Sequence, residues 1–249
     1  MNIGIIGAGA IGSTLAGKLV KAGHTVKIAN SRGPDTLGDV AAKTGATAVA
    51  IADAVKDVQV VVIAIPLKNV ATLPADLFAG VPEDVIVIDP NNYDANRDGQ
   101  IAAIDAGQPQ SRWVSDRLGR AVVKVFNNTL FQVIAIAGTS DDTTGGIAIP
   151  VAGDDARQKA VVIDLVKEIG FQGVDAGSID DSWHQQPGAP VYLTDYDANG
   201  VRAALARADK ALIPVNRDKG FVQFGQQLKA DTTQADFIAI VRKISRTTF

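Results

Sequence analysis

Apolar and polar positions follow two rhythms along the chain. Ile3 to Ile6 is a short apolar run bounded by glycine, the pattern of a parallel strand buried on both faces. From Ile11 to Lys21 the apolar residues fall at 11, 15, 16, 19 and 20, a helical period, and Gly23 ends that helix. His24 to Ala29 predicts a second strand and Asp35 to Lys43 a second helix. "VVVIAIP", Val60 to Pro66, and "VIVIDP", Val85 to Pro90, are apolar runs stopped by proline. Ala121 to Phe126, Ile147 to Ala152 and Phe171 to Asp175 extend the series of strands. Between the last two, Asp154 to Ile169 has helical spacing, with Asp154 placed to cap it. Strands alternating with helices predict an α/β fold, a doubly wound and mostly parallel Rossmann-like sheet.

The rhythm fails in two places. Asp94 to Gln110 is polar and glycine-containing, and predicts a long surface loop. After Ser178 the alternation stops: Trp183 to Pro190 holds two prolines, a glycine and several polar groups. Two helices are expected beyond it, near Asn199 to Leu212 and Thr233 to Ile244. The expected division is therefore a nucleotide-binding domain over 1–177 and a small, mainly helical cap over 178–249 that closes the substrate pocket.

Composition narrows the partners. The chain has 249 residues, 47% of them apolar and 20% charged, enough for a sizeable core. A net charge of −3 offers no broad basic surface to nucleic acid or anionic lipid. Cysteine is absent, which excludes disulfides and thiolate chemistry and fits a reducing compartment. Met1 to Gly17 is uncharged, but it lacks a basic start and carries glycines at 4, 7, 9 and 12, so it does not read as a signal peptide. No apolar run approaches the ~20 residues of a membrane helix. The expectation is a cytoplasmic protein.

Gly7-Ala8-Gly9-Ala10-Ile11-Gly12 matches G-x-G-x-x-G in its required place, after a strand and at the opening of a helix. Gly7 permits the tight turn, Gly9 lets backbone approach a pyrophosphate, and Gly12 lets the helix pack on the strand. The helix N-terminus then faces the phosphates with free N–H groups and a positive dipole end. About 20 residues past the first glycine such loops carry an acid that reads the ribose hydroxyls. This chain has Asn30-Ser31-Arg32 there. A guanidinium fork beside a hydroxyl is a donor set for the 2′-phosphate of NADP(H).

The stretch "IGIIGAGAIGSTLAGKLVKAGHTVKIANSRGP" resembles the NADPH-dependent oxidoreductases of the deazaflavin (factor 420) reductase family. The similarity continues through "VVIAIPL", "DPNNYD", "VVKVFNNTL" and "IPVAGDDARQKAVVIDLVKEIGFQGVDAGSI", roughly residues 1 to 179. The resemblance implies hydride exchange between NADP(H) and a second, often planar, redox partner. Carried over by position, backbone at Gly9, Ala10 and Ile11 holds the pyrophosphate, Ser31 and Arg32 hold the 2′-phosphate, and Ile65 and Pro66 line the nicotinamide ribose. By the same analogy the protein is expected to be a homodimer. "SWHQQPGAPVYLTDYD" departs from the deazaflavin-using members, so the second substrate stays open between a deazaflavin or flavin ring and a small carbonyl or imine. The alternative to an enzyme is a non-catalytic NADP(H) sensor on the same fold.

Hydride transfer needs no protein nucleophile, but a carbonyl or imine needs a proton donor. Asn91 and Asn92, past the fifth strand, either orient the nicotinamide carboxamide or form a turn. Lys124 lies within an apolar strand and either escapes at an edge or faces a polar pocket. Asn127 and Asn128 either cap a helix or contact the pocket. His184 is a candidate acid near neutral pH, with the surface as the plain alternative. Lys124 and His184 are the two catalytic candidates, while His24 reads as structural. Asp180 and Asp181 are adjacent and do not converge, so no metal site is expected.

Overall fold

The computed structural model describes residues 1–137 and 146–249. Six parallel strands form the main sheet: β1 (Asn2–Ile6), β2 (Thr25–Ala29), β3 (Thr47–Ala48), β4 (Val60–Ile63), β5 (Ile86–Asp89) and β6 (Val123–Lys124). Their order is β3-β2-β1-β4-β5-β6, the doubly wound arrangement with β1 and β4 at its centre. The apolar runs account for the layers. Ile3, Ile5, Val60, Val62, Ile86 and Ile88 face one way, against Leu15 and Leu19 of the helix Ala10–Lys21. Ile6, Val61, Ile63 and Val87 face the other way, with Leu67, Trp113 and Val114. A two-residue period with both faces covered keeps the central strands apolar, with polar residues only at their ends, Asn2 in β1 and Asp89 in β5. Gly4 is required there: a Cβ on it would lie 1.7 Å from the Ala54 carbonyl oxygen.

The seventh and eighth strands depart from expectation. β7 (Ala148–Val151) and β8 (Gln172–Asp175) pair in parallel as a separate ribbon. One antiparallel bridge joins the ribbon to the sheet: Lys124 N–H donates to Ala152 at 2.8 Å and Ala152 N–H donates to Lys124 at 3.0 Å. β6 is short because Phe126 turns the chain with φ of 66°.

Other expectations shift by local chemistry. The helix Ala156–Glu168 is capped by Asp155, whose carboxylate accepts from the N–H groups of Arg157 and Gln158 at 2.8 and 3.0 Å. Asp154 accepts from Ile179 N–H and pairs with Arg112 instead. Asp35–Lys43 divides into a 3-10 turn, Pro34–Leu37, and an α-helix, Gly38–Thr44. The segment 94–110 contains the helical turns Ala95–Asp98 and Ala102–Asp105, tied down by the buried Tyr93 hydroxyl. Beyond Ser178 there are a 3-10 turn, Asp180–Gln185, and three α-helices: Ala198–Ala206, Ile213–Gln227 and Gln234–Thr248. The first α-helix packs on the ribbon through Val201 and Ala204 against Ala148 and Val174. The last packs through Val241 on Tyr192 and Leu193. Among the described residues, no helix is long and apolar enough to cross a membrane.

Candidate functional site

A cleft of about 530 Å³ opens at the C-terminal ends of β1, β2 and β4. Gly7 and Gly9 line it, with Asn30, Ser31 and Arg32 at the end of β2 and Ile65 and Pro66 at the end of β4. The glycines act as the motif requires. Gly7 has φ of +116°, and a Cβ on it would lie 2.0 Å from the Ala64 carbonyl oxygen. A Cβ on Gly12 would meet the Gly7 carbonyl oxygen at 1.9 Å. A Cβ on Gly9 would meet nothing within 4 Å, because it would project into open space. Gly7 and Gly12 are therefore glycines for the protein's own packing, and Gly9 leaves room for a ligand. The helix Ala10–Lys21 starts at Gly9 with no side-chain cap and no acid in its first turn. Its first backbone bond runs from Ser13 N–H to the Gly9 carbonyl at 2.9 Å. The N–H groups of Ala10, Ile11 and Gly12 thus remain for an anion.

Across the cleft, Asn30 shapes its turn. Its Oδ1 accepts from Arg32 N–H at 2.9 Å, and its Nδ2 donates to Thr36 Oγ1 at 2.9 Å. The amide fixes the backbone, and Ser31 and Arg32 project outward, exposed. The Arg32 guanidinium makes no ion pair among the described residues, and no Asp or Glu lines the cleft. The donor set, the open Gly9 and the uncapped helix end fit a phosphorylated dinucleotide such as NADP(H). Sequence reasoning missed the far wall, which includes Asn69, Thr72, Leu73 and Pro74. The signal was available: these residues follow Pro66 at the C-terminal end of a central strand, where open α/β sheets bind ligands.

Asn91, Lys124 and His184 lie outside the lining of this cleft. Lys124 is fully buried. Its Nζ donates to the Asn91 carbonyl at 2.8 Å and stands 3.7 Å from Asp89 Oδ2. Burial pushes the Lys124 amine below its ordinary value, and the Asp89 carboxylate opposes that shift. Asp89 also accepts from Ser111 Oγ at 2.5 Å and from Asn91 N–H at 3.0 Å. Asn91 Nδ2 donates to the Ile63 carbonyl at 2.7 Å, so it braces the end of β4 from behind. Asn92 and Asn127 exchange bonds, Asn127 Nδ2 to Asn92 Oδ1 at 3.0 Å and Asn92 Nδ2 to the Asn127 carbonyl at 2.8 Å. Asn127 Nδ2 also donates to the Gln185 carbonyl at 2.7 Å, which fastens the segment after Ser178 to the sheet.

His184 lies in the 3-10 turn Asp180–Gln185, its ring stacked on Trp183 at 3.6 Å between centroids. Its Nδ1 is 2.7 Å from the Asp181 carbonyl. A carbonyl only accepts, so Nδ1 carries the proton, and Nε2 bonds no partner among the described residues. His24 bonds Glu168 at 2.7 Å through Nε2, a structural placement. Asp180 pairs with Arg112 at 2.7 Å, and Asp181 accepts from Ser178 at 2.7 Å, so the two carboxylates diverge. No cluster of three metal-ligating side chains occurs among the described residues.

These features define a Rossmann-like dinucleotide-binding fold, and the comparisons with known proteins supply the family. Residues 2–93 match the family model described as NADP oxidoreductase coenzyme F420-dependent. The chain belongs to this family. Protein YjhV of Escherichia coli (strain K12) is 33% identical over 105 residues, 42% of this chain and 76% of that protein. The crystal structure of SMa0349 from Sinorhizobium meliloti, titled a hypothetical protein, is 32% identical with a TM-score of 0.64, covering 77% of this chain and 93% of that one. A structure from Arthrobacter sp. FB24, titled as a candidate F420-dependent NADP reductase, shares the fold at 22% identity and a TM-score of 0.60, over 91% of this chain and 94% of that one.

Proposed function

We propose that the protein is an NADP(H)-dependent oxidoreductase that exchanges a hydride with a deazaflavin or flavin-like ring. The observation that carries this reading is the pairing, in one cleft, of the open Gly9 position with an acid-free Ser31-Arg32 turn. NADP(H), when bound, supplies or accepts the hydride. The chain does the holding. Backbone N–H groups of Ala10, Ile11 and Gly12 bind the pyrophosphate, and Ser31 and Arg32 bind the 2′-phosphate. Ile65 and Pro66 form an apolar wall that keeps water from the ribose side. Lys124 and Asn91 act through their neighbours, by fixing the ends of β4 and β5. His184 lies outside the cleft lining, and with its Nδ1–H held by the Asp181 carbonyl it presents Nε2 as an acceptor rather than a donor.

A ring acceptor is favoured over a carbonyl or imine because, among its lining residues, the cleft has no titratable side chain except Arg32. A carbonyl needs a proton at the moment of reduction. The family description, which names coenzyme F420, supports the same class. A cytoplasmic homodimer accompanies the proposal.

The test is the dissociation constant of NADPH and NADH for wild type and Arg32→Ala. Charge-assisted bonds are worth about 1.5–3 kcal/mol. NADPH binding should therefore weaken by about 10- to 100-fold in the variant, with NADH little changed. The loss should shrink in high salt, because the contact is exposed. A wild type that prefers NADH overturns the phosphate assignment. NADPH oxidation is then followed with flavins, a deazaflavin, quinones and 2-oxo acids. Turnover confined to 2-oxo acids overturns the ring acceptor. Tight NADPH binding without turnover on any acceptor moves the protein to the sensor class.

A further inference from the structure

The stretch "SWHQQPG" singled out in the sequence borders a second cavity. It is small, about 70 Å³, and shares no lining residue with the cofactor cleft. Trp183, Gln186, Lys210, Pro214 and Arg217 are among the residues around it. At ~30 Å³ per water this is room for roughly two waters, or one carboxylate or phosphate group.

Three independent features of the cavity select negative charge. First, the helix Ile213–Gln227 begins at its wall. That helix has no side-chain cap and no acid in its first turn, so its positive end is uncompensated. Second, Gln186 is more than nine-tenths buried, and its Nε2 has no hydrogen-bond partner. A buried donor without an acceptor is destabilising, and an anion in the cavity would supply the missing acceptor. Third, two cations stand beside it. Lys210 Nζ lies 5.9 Å from the Trp183 ring centre and makes no ion pair among the described residues. Arg217 uses Nε on Asp218 at 2.9 Å, and neither of its terminal nitrogens bonds a described residue.

The nearby carboxylates are already engaged: Asp218 meets Arg217 through Nε alone and leaves its two terminal nitrogens, and Asp180 is held by Arg112 at 2.7 and 3.0 Å. The backbone secures the geometry. Gly188 has φ of +94°, and a Cβ on it would lie 2.2 Å from the Ile213 carbonyl oxygen. Only glycine lets the chain after Gln186 lie directly on the helix start.

We propose that the cavity between Trp183, Gln186, Lys210 and Arg217 is an oxyanion site, which takes the carboxylate or phosphate group of a small molecule. It rests on none of the cofactor assignments, and its test uses the protein without NADPH.

Trp183 is the reporter. Tryptophan fluorescence is titrated with acetate and with inorganic phosphate, each at ionic strength held constant with potassium chloride. Saturable binding is expected in wild type, with the signal lost in Trp183→Phe. Lys210→Gln and Arg217→Gln should each weaken it by about tenfold or more. Arg32→Ala should leave it unchanged, because Arg32 lines the other cavity. Tighter acetate binding assigns the site to an organic acid, and tighter phosphate binding assigns it to a phosphoryl compound. No saturation beyond the potassium chloride control overturns the proposal. So does binding that Arg32→Ala abolishes, or binding that Lys210→Gln and Arg217→Gln both leave intact.

Discussion

Two groups of polar residues stand at the same end of the sheet and have opposite characters. Around Asp89 and Lys124 the charged and amide groups are buried, and nearly every one meets another from the same chain. Ser31 and Arg32 are exposed, and their side chains make no hydrogen bond or ion pair among the described residues. Burial explains the difference. A charge removed from water must be paired inside the protein, whereas an exposed guanidinium keeps its hydration until a ligand replaces it. The paired group holds the shape of the site, and the unpaired group is available to bind.

Breaking the buried group should have the largest effect. Asp89→Ala leaves the Lys124 ammonium without its carboxylate and should cost about 3–5 kcal/mol in urea unfolding. The double variant Asp89→Leu, Lys124→Met should recover much of that loss, since apolar replacement of a buried pair is often close to neutral. A single variant that loses under ~1 kcal/mol would mean that the pair is not the brace described here.

The glycines divide along the same line. Gly7→Ala forces a side chain into a positive-φ position and onto the Ala64 carbonyl, and should cost roughly 1–3 kcal/mol or more of stability. Gly9→Ala meets only open space, so its Tm should match wild type while NADPH binding weakens. Equal Tm losses in the two variants would erase the distinction between the packing glycine and the ligand glycine.

Acid offers a smaller test. Asp98 is buried, and burial alone would raise its carboxyl. Its bonds to Arg97 and to the N–H groups of Asp94 and Lys68 prevail and hold it below its ordinary 3.8. A depressed carboxyl stabilises the fold fully above its unfolded value and loses that contribution as pH falls through the folded one. Between those two values, unfolding free energy should drop by up to about 1.4 kcal/mol per pH unit, and Asp98→Asn should flatten that limb. An unchanged acid limb in the variant would remove Asp98 from the set of paired groups.

The smallest effect belongs to Asn30, which touches backbone and Thr36 and positions its neighbours. Asn30→Ala should weaken NADPH binding by about 2- to 12-fold, the worth of one neutral hydrogen bond at ~0.5–1.5 kcal/mol. If it weakens binding as much as Arg32→Ala does, Asn30 is itself a ligand contact.

What the sequence disclosed follows the reach of each interaction. The glycine loop and the Asn30-Ser31-Arg32 turn were legible, because their geometry is set within a few residues. The double-sided burial of β1, β4 and β5 was legible because their runs contain no polar break. The partner of Lys124 was not, because Asp89 is distant in sequence and only the parallel β5–β6 register, with Asp89 opposite Lys124, brings them together. Asp155 displaced Asp154 as the helix cap because neighbouring acids look alike in sequence, and Asp154 was drawn off by Ile179 and Arg112. The helix Ile213–Gln227 was hidden by Gly220 and Gly225. Gly220 serves packing: a Cβ there would lie 2.4 Å from the Phe249 ring.

Among the described residues the seam between sheet and ribbon is two backbone bonds wide, yet it is not a weak line. Ile147, Ile149 and Val151 of the ribbon belong to the same apolar cluster as Ile3, Ile5 and Val60 of the sheet. Cooperativity should therefore cross the seam through side-chain packing rather than through the hydrogen-bond ladder, and the two are expected to melt as one calorimetric unit. Neither is an interchangeable module: a different ribbon grafted at Ala152 would keep both backbone bonds and still leave an unfilled wall in the core.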